Sequence, residues 1–158
     1  MAEPYEEKHS PPPTWGGIGW GVDDKTMIGI VVVTHGRIAE ELVNAARTIV
    51  GEIPGIVAVS IGWADDVSVA REAIERGLAE VGAGDALVLT DMFGGTPTNL
   101  SLPFLSPRVE IVTGVNLPML IRLTSEREGP LAEVARAVRD QGKGAIYVAS
   151  EVLEKKPA

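Results

Sequence analysis

A chain of 158 residues, 45% hydrophobic and 23% charged, carries enough apolar material for one globular domain with a sizeable core and is short for two. Its formal charge of −8, with Lys and Arg scattered singly, argues against nucleic-acid binding, which needs a basic face to neutralise phosphates. Cysteine is absent, which excludes disulfides, thiolate metal sites and sulfur nucleophiles, so any covalent chemistry must use oxygen or imidazole nitrogen. No apolar run approaches the roughly 18 residues that span a bilayer, and the N-terminus lacks the basic flank and apolar core of a signal peptide. The expectation is a cytoplasmic protein with no membrane insertion.

Residues 1–26 stand apart from the rest. The stretch "EPYEEKHSPPPTWGGIGWGVDD" joins a proline triplet to several glycines, shows no period, and reads as an unstructured leader, with no function assigned to His9. The domain proper is expected over 27–152, followed by a short tail at 153–158. It opens on "MIGIVVVT", an almost wholly apolar run that marks a strand covered on both faces. Ile38, Leu42, Ala45 and Ile49 then fall at helical spacing and predict one buried stripe on a helix ending near Gly51.

"GIVAVSI" predicts a second strand, and Asp65 a helix N-cap ahead of a stripe of Val67, Ala70, Ile74, Leu78 and Val81. "DALVLTD" is the third strand, followed by Gly94, Gly95 and a short helical stretch. "RVEIVTG" is the fourth, with helices expected from Leu117 to Thr124 and through Leu131, Val134, Ala135 and Val138. "GAIYVAS" near the C-terminus reads as a last strand at a sheet edge. Strands alternating with helices predict an α/β fold: a mainly parallel open sheet with right-handed crossovers and helices on both faces. Chemistry in such sheets collects at the carboxyl ends of the strands. Three segments fall there: "THG" after strand one, "DMFGGTPTN" after strand three and "GVNLP" after strand four.

His35 follows a buried strand and precedes a helix, which leaves three readings open: a core histidine satisfied by carbonyls, a metal ligand, or a displayed nucleophile. The metal reading is poor, since the domain offers no second histidine. Gly36, without a Cβ, lets an anion approach the chain near a helix N-terminus. Asp91 ends strand three; as a partner of His35 it would fix the tautomer by accepting the Nδ1 proton and leave Nε2 free, and as a plain residue it would cap the next turn. Gly94, Gly95 and Thr96 form a candidate phosphate grip ahead of Pro97, although no lysine makes them a nucleotide-binding loop. Asn116 and Pro118 are candidate cleft or partner-contact residues after strand four.

"THG" after an apolar first strand, "LTDMFGGTPTN" in mid-chain and "TGVNLPML" after strand four, in that order, closely resemble the IIA component of the mannose-family phosphoenolpyruvate-dependent sugar phosphotransferase system. The resemblance runs from about Met27 to about Val152. It implies that His35 accepts a phosphoryl group from the phosphocarrier HPr and passes it to a histidine of a IIB component, here expected on a separate chain. It further implies that Asp91 orients His35, that Thr96 helps to hold the phosphoryl group, and that no cofactor or metal takes part. A homodimer is implied as well, with an antiparallel last strand exchanged between subunits and "GAIYVAS" as its counterpart. Two other readings use the same fold: a regulatory phosphorelay module without a transporter, and the IIA-like phosphotransferase subunit of a dihydroxyacetone kinase.

Overall fold

The computed structural model describes residues 27–154; the leader, with His9, and residues 155–158 lie outside them. Four strands form one sheet: β1 (Gly29–His35), β2 (Ile56–Ile61), β3 (Ala86–Thr90) and β4 (Val109–Thr113). Every neighbouring pair is parallel, in the order β2-β1-β3-β4. The helices between and after them are α1 (Ile38–Val50), α2 (Val67–Glu80), α3 (Thr96–Ser101), α4 (Leu117–Leu123), α5 (Leu131–Gly144) and α6 (Ala149–Glu154). A short 3-10 turn, Leu102–Phe104, extends α3.

The continuous apolar strands are what a sheet covered on both faces requires. Alternate residues of β1 feed two separate cores. Ile30 and Val32 join Leu87 and Leu89 of β3 against α1, α4 and α5, with Val43, Leu120 and Val138 among the partners. Val31 and Val33 point the other way, into Val59, Ile61, Ala70 and Ile74 beneath α2. Helix α2 comes close to the sheet because Gly77 has no side chain: a Cβ there would lie 3.0 Å from Val59 Cγ2 and 3.1 Å from Val31 Cγ1.

The order of strands has a functional consequence. The chain steps from β1 outward to β2 and then back across β1 to β3, so the direction of winding reverses between β1 and β3. The crevice at the carboxyl ends of such a pair is where doubly wound sheets bind ligands. Residue 35 ends β1 and residue 91 follows β3 directly, so both sit at that crevice.

Three expectations are corrected. In α1 the buried residues are Ala39, Val43 and Ala46, one position round from the stripe read off the larger side chains; Ile38 and Ile49 are 48% and 62% exposed. Small residues face the sheet because they let the helix axis approach it. At α2 the cap is Asp66, whose carboxylate accepts the Ser68 N–H at 2.8 Å, and Val67 is exposed. Asp65 instead accepts the Gly62 N–H at 2.7 Å and closes the turn before the helix. The Ser68 hydroxyl also donates to the Asp66 carboxylate, at 2.6 Å, and that bond together with the backbone one holds the Asp66 carboxyl below its ordinary range.

The third correction concerns "GAIYVAS". It forms no strand here: Gly144 ends α5, an irregular link follows, and Ala149–Glu154 is helical past residue 152. A β-prone run forms a strand only where it reaches a partner edge, and this run pairs with neither edge strand of its own chain, β2 or β4. Ile146, Tyr147 and Val148 are left exposed.

The two readings of α1 separate by mutation. Val43→Ala, at a side chain 2% exposed, is expected to cost about 2–3 kcal/mol of unfolding free energy. Ile49→Ala should change it by less than about 0.5 kcal/mol. Urea denaturation of the two variants measures both.

Candidate functional site

The site begins with Thr34, the last fully buried residue of β1. Helix α1 has no side-chain cap at Arg37, and Thr34 takes over part of that work: its Oγ1 accepts the Ala39 N–H at 2.7 Å. Gly36 turns the chain between strand and helix at φ +52°, a region that favours glycine, and its N–H donates to Ile61 O at 2.7 Å. The backbone on both sides of His35 is therefore held by rigid elements. Gly36 leaves open space, with nothing within 4 Å of where a Cβ would stand, but its N–H is already committed.

Across the switch point, the loop after β3 is fixed at both ends. The Thr98 hydroxyl donates to Met92 O at 2.6 Å, and its single proton being used there, the Thr90 hydroxyl donates to Thr98 Oγ1 at 2.7 Å. The Asn99 amide donates to Gly94 O at 3.2 Å, and Gly94 sits at φ +80°. Thr98, which no sequence motif singled out, is the buried brace of this loop. Thr96 lies exposed at the first helical position of α3. The Gly95 N–H donates to Met92 O at 3.2 Å. Among the described residues no bond engages the Gly94 or Thr96 N–H or the Thr96 hydroxyl, which leaves them as donors for an anion.

The two loops meet at His35 and Asp91. Asp91 Oδ2 lies 2.8 Å from His35 Nδ1 and also accepts the His35 backbone N–H at 2.9 Å. Its other oxygen, Oδ1, accepts the Met92 N–H at 2.9 Å. A carboxylate only accepts, so Nδ1 must carry the proton, and in the neutral ring Nε2 then holds a bare lone pair. The side chains of His35 and Asp91 are 19% and 14% exposed, which rules out a histidine sealed in the core.

Two further residues shape the ring's surroundings. Gly95 lies against its edge: a Cβ there would stand 2.8 Å from His35 Cε1 and 3.5 Å from Nε2. Trp63, in the turn after β2, stacks on the imidazole with centroids 5.2 Å apart and planes 19° from parallel. Sequence reasoning missed Trp63. The available signal was its position two residues beyond Ile61, which pairs with His35 across the sheet.

Asn116 and Pro118 do not join this cluster. Strand β4 is separated from β1 by β3, so the end of β4 is displaced by two strand spacings, roughly 10 Å. Asn116 caps α4, its Oδ1 accepting the Met119 N–H at 3.2 Å, while its amide donates to Gly142 O at 3.3 Å. Both polar ends are occupied by structural bonds, so the expectation that Asn116 reaches across the cleft is corrected. Pro118 lines a groove with Arg122, Gln141 and Tyr147 at the ends of α4 and α5. Among the described residues no group of three or more His, Asp or Glu side chains is placed to hold a metal ion.

A lone histidine, oriented by a carboxylate at the switch point of a doubly wound parallel sheet, defines a domain with one displayed imidazole nitrogen. The family comparison specifies it further: the EIIA-man family model, described as "PTS system fructose IIA component", matches residues 29–138. The chain belongs to this family of sugar phosphotransferase system IIA components. It is 29% identical over 133 residues to the fructose-specific EIIA component of Bacillus subtilis (strain 168), covering 82% of this chain and 91% of that relative. To the mannose-specific EIIAB component of Escherichia coli (strain K12) it is 32% identical over 139 residues, covering 81% of this chain and 42% of that relative. Among solved structures, a mannose/sorbose specific IIA subunit from Enterococcus faecalis superposes with a TM-score of 0.72 at 30% identity, covering 77% and 94% of the two chains.

Gly95→Ala tests the contact with the ring. The Gly95 backbone is extended, at φ −77° and ψ 164°, so alanine suits the chain; its Cβ would meet the imidazole most closely and the Met92 carbonyl oxygen next, at 3.3 Å. The variant should fold with stability changed by less than about 1 kcal/mol. The downfield His35 Nδ1 proton signal expected in NMR from the bond to Asp91 should weaken or vanish.

Proposed function

We propose that this domain is a phosphohistidine relay in sugar uptake, accepting a phosphoryl group from HPr on His35 Nε2 and passing it to a IIB component. The observation that carries this reading is the His35 to Asp91 pair at the switch point, which turns one ring nitrogen inward to a carboxylate and leaves the other, Nε2, without a bonding partner among the described residues.

The lone pair of Nε2 attacks phosphorus in line as the N–P bond of the donor phosphohistidine breaks, and the bonding pair returns to the donor nitrogen. The Nδ1 proton stays in its bond to Asp91, so the carboxylate stabilises the cationic ring that results and does not itself take the proton. Both ends of the exchange are phosphoramidates, so the step is nearly balanced. Catalysis then needs little beyond alignment and stabilisation of the moving anion. The Gly94 and Thr96 N–H groups and the Thr96 hydroxyl are assigned to that anion, with Gly95 permitting its close approach and Gly36 keeping the other wall open. Asp91 bonds the opposite side of the ring, so its charge is held away from the incoming phosphate. Neither nucleotide nor metal is needed for this step.

The setting proposed is the cytoplasm, where HPr acts; no helix among the described residues is long and apolar enough to cross a membrane. A homodimer is also part of the reading. Edge strand β4 borders a cavity of about 380 Å³ lined by Phe93, Leu105, Ile111 and Arg136 among others, and the apolar segment Ile146 to Val148 is exposed. Such a segment from a second copy can cover such an edge, which supports the exchange of C-terminal segments.

Incubation with enzyme I, HPr and phosphoenolpyruvate should place an acid-labile, alkali-stable phosphate on the chain, mapping to His35 and absent from His35→Ala. A wild-type chain that stays unlabelled would refute the relay. Asp91→Asn should remain folded and slow transfer by about 10- to 100-fold, as removal of a group that orients a reactive imidazole does. For the dimer, light scattering should give twice the chain mass, and Tyr147→Asp should shift it toward the monomer.

A further inference from the structure

Trp63 is a large apolar side chain left 87% exposed, yet it is not free of the site. Its indole lies nearly parallel to the His35 ring at a centroid separation of 5.2 Å. The turn that carries it is braced internally: the Gly62 N–H donates to Asp65 Oδ2 at 2.7 Å, and the Asp65 N–H to Gly62 O at 3.2 Å. A bond from Gly36 N–H to Ile61 O, 2.7 Å long, ties the strand leading into this turn to the backbone next to His35. The indole is thus presented to the imidazole by a turn fixed to the same strand end. Asp91 occupies the Nδ1 edge, Gly95 the Cε1 edge and Trp63 one face, so Nε2 is the polar atom of the ring left available.

An aromatic face carries negative quadrupole potential and attracts a cation placed over it, more strongly for indole than for phenyl. A neutral imidazole gains dispersion from such a stack. A ring bearing a phosphoryl group on Nε2 and a proton on Nδ1 is cationic and gains the electrostatic attraction as well. The difference between those two states favours the phosphorylated form.

We propose that Trp63 is a positioning residue that sets the phosphoryl-transfer potential of His35, its stacked indole stabilising the cationic ring that carries the phosphoryl group. The inference rests on the relay reading. In the exchange the N–P bond to His35 Nε2 forms as the donor's N–P bond breaks, the electron pair returns to the donor ring, and the Nδ1 proton remains with His35. Trp63 changes the energy of the charged ring without exchanging atoms with it.

The test is an equilibrium. Phosphorylated HPr and this chain are mixed in known amounts, enzyme I is removed, and the phosphoryl group is allowed to partition between them for the wild type, Trp63→Leu and Trp63→Phe. The equilibrium constant compares free species, so a residue that only helps the proteins dock alters rates and KM and leaves it unchanged. Trp63→Leu is expected to shift the partition toward HPr by about two- to fivefold, the range that corresponds to an exposed cation–π contact. Trp63→Phe should recover part of that shift. An unchanged partition in Trp63→Leu, even with a raised KM, would overturn the proposal and make Trp63 a docking contact. A leucine variant that partitions normally while the wild type is labelled refutes Trp63 alone, whereas a wild type that takes no phosphoryl group from HPr refutes the relay and this inference together.

Discussion

One carboxylate oxygen holds the site together. Asp91 Oδ2 accepts both the backbone N–H and the ring Nδ1–H of His35, so a single atom fixes where the strand end lies and how the imidazole is turned. The second oxygen is spent on the Met92 N–H, which ties the carboxylate to its own loop. Bonds to an ionised acceptor are the stronger ones in a protein, and these three converge on one side chain. With Nδ1 committed to this carboxylate, Nε2 is the ring nitrogen left available.

The rest of the fold keeps the two strand ends in register. Val33 of β1 pairs with Thr90 of β3, which brings His35 and Asp91 to the same rim of the sheet. Burial on both faces makes that register stiff, because side chains from β1 fill two separate cores and a slip by one residue would exchange them. Thr34 and Thr98 extend the stiffness into the loops. Each is buried, and each uses its hydroxyl to satisfy backbone groups where the regular hydrogen bonding stops.

Much of this was legible in the sequence because it rests on strong local patterns. Continuous aliphatic runs bounded by helix-like stretches could only be buried parallel strands, and "THG" and "DMFGG" had to fall at their carboxyl ends. What was not legible depended on how closely elements approach. The α1 stripe was drawn through Ile38 and Ile49 because they are large, but the sheet side is taken by Ala39, Val43 and Ala46. Asn116 looked free in sequence and is spent on a helix cap and on the Gly142 carbonyl, a contact with a residue 26 positions away. Trp63 gave no periodic signal, since one aromatic in a turn resembles any other; its meaning comes only from the strand pairing that puts it beside His35. "GAIYVAS" carried a genuine β preference, and local preference cannot say whether a neighbouring edge exists.

The orienting carboxylate and the glycine that walls the ring are only four positions apart on a single loop, whose two ends are pinned by hydroxyls of Thr90 and Thr98. Orientation and access therefore form one cassette: adding or deleting a residue inside it would move the acceptor and the wall together, with the β3 register on one side and helix α3 on the other fixing where it sits.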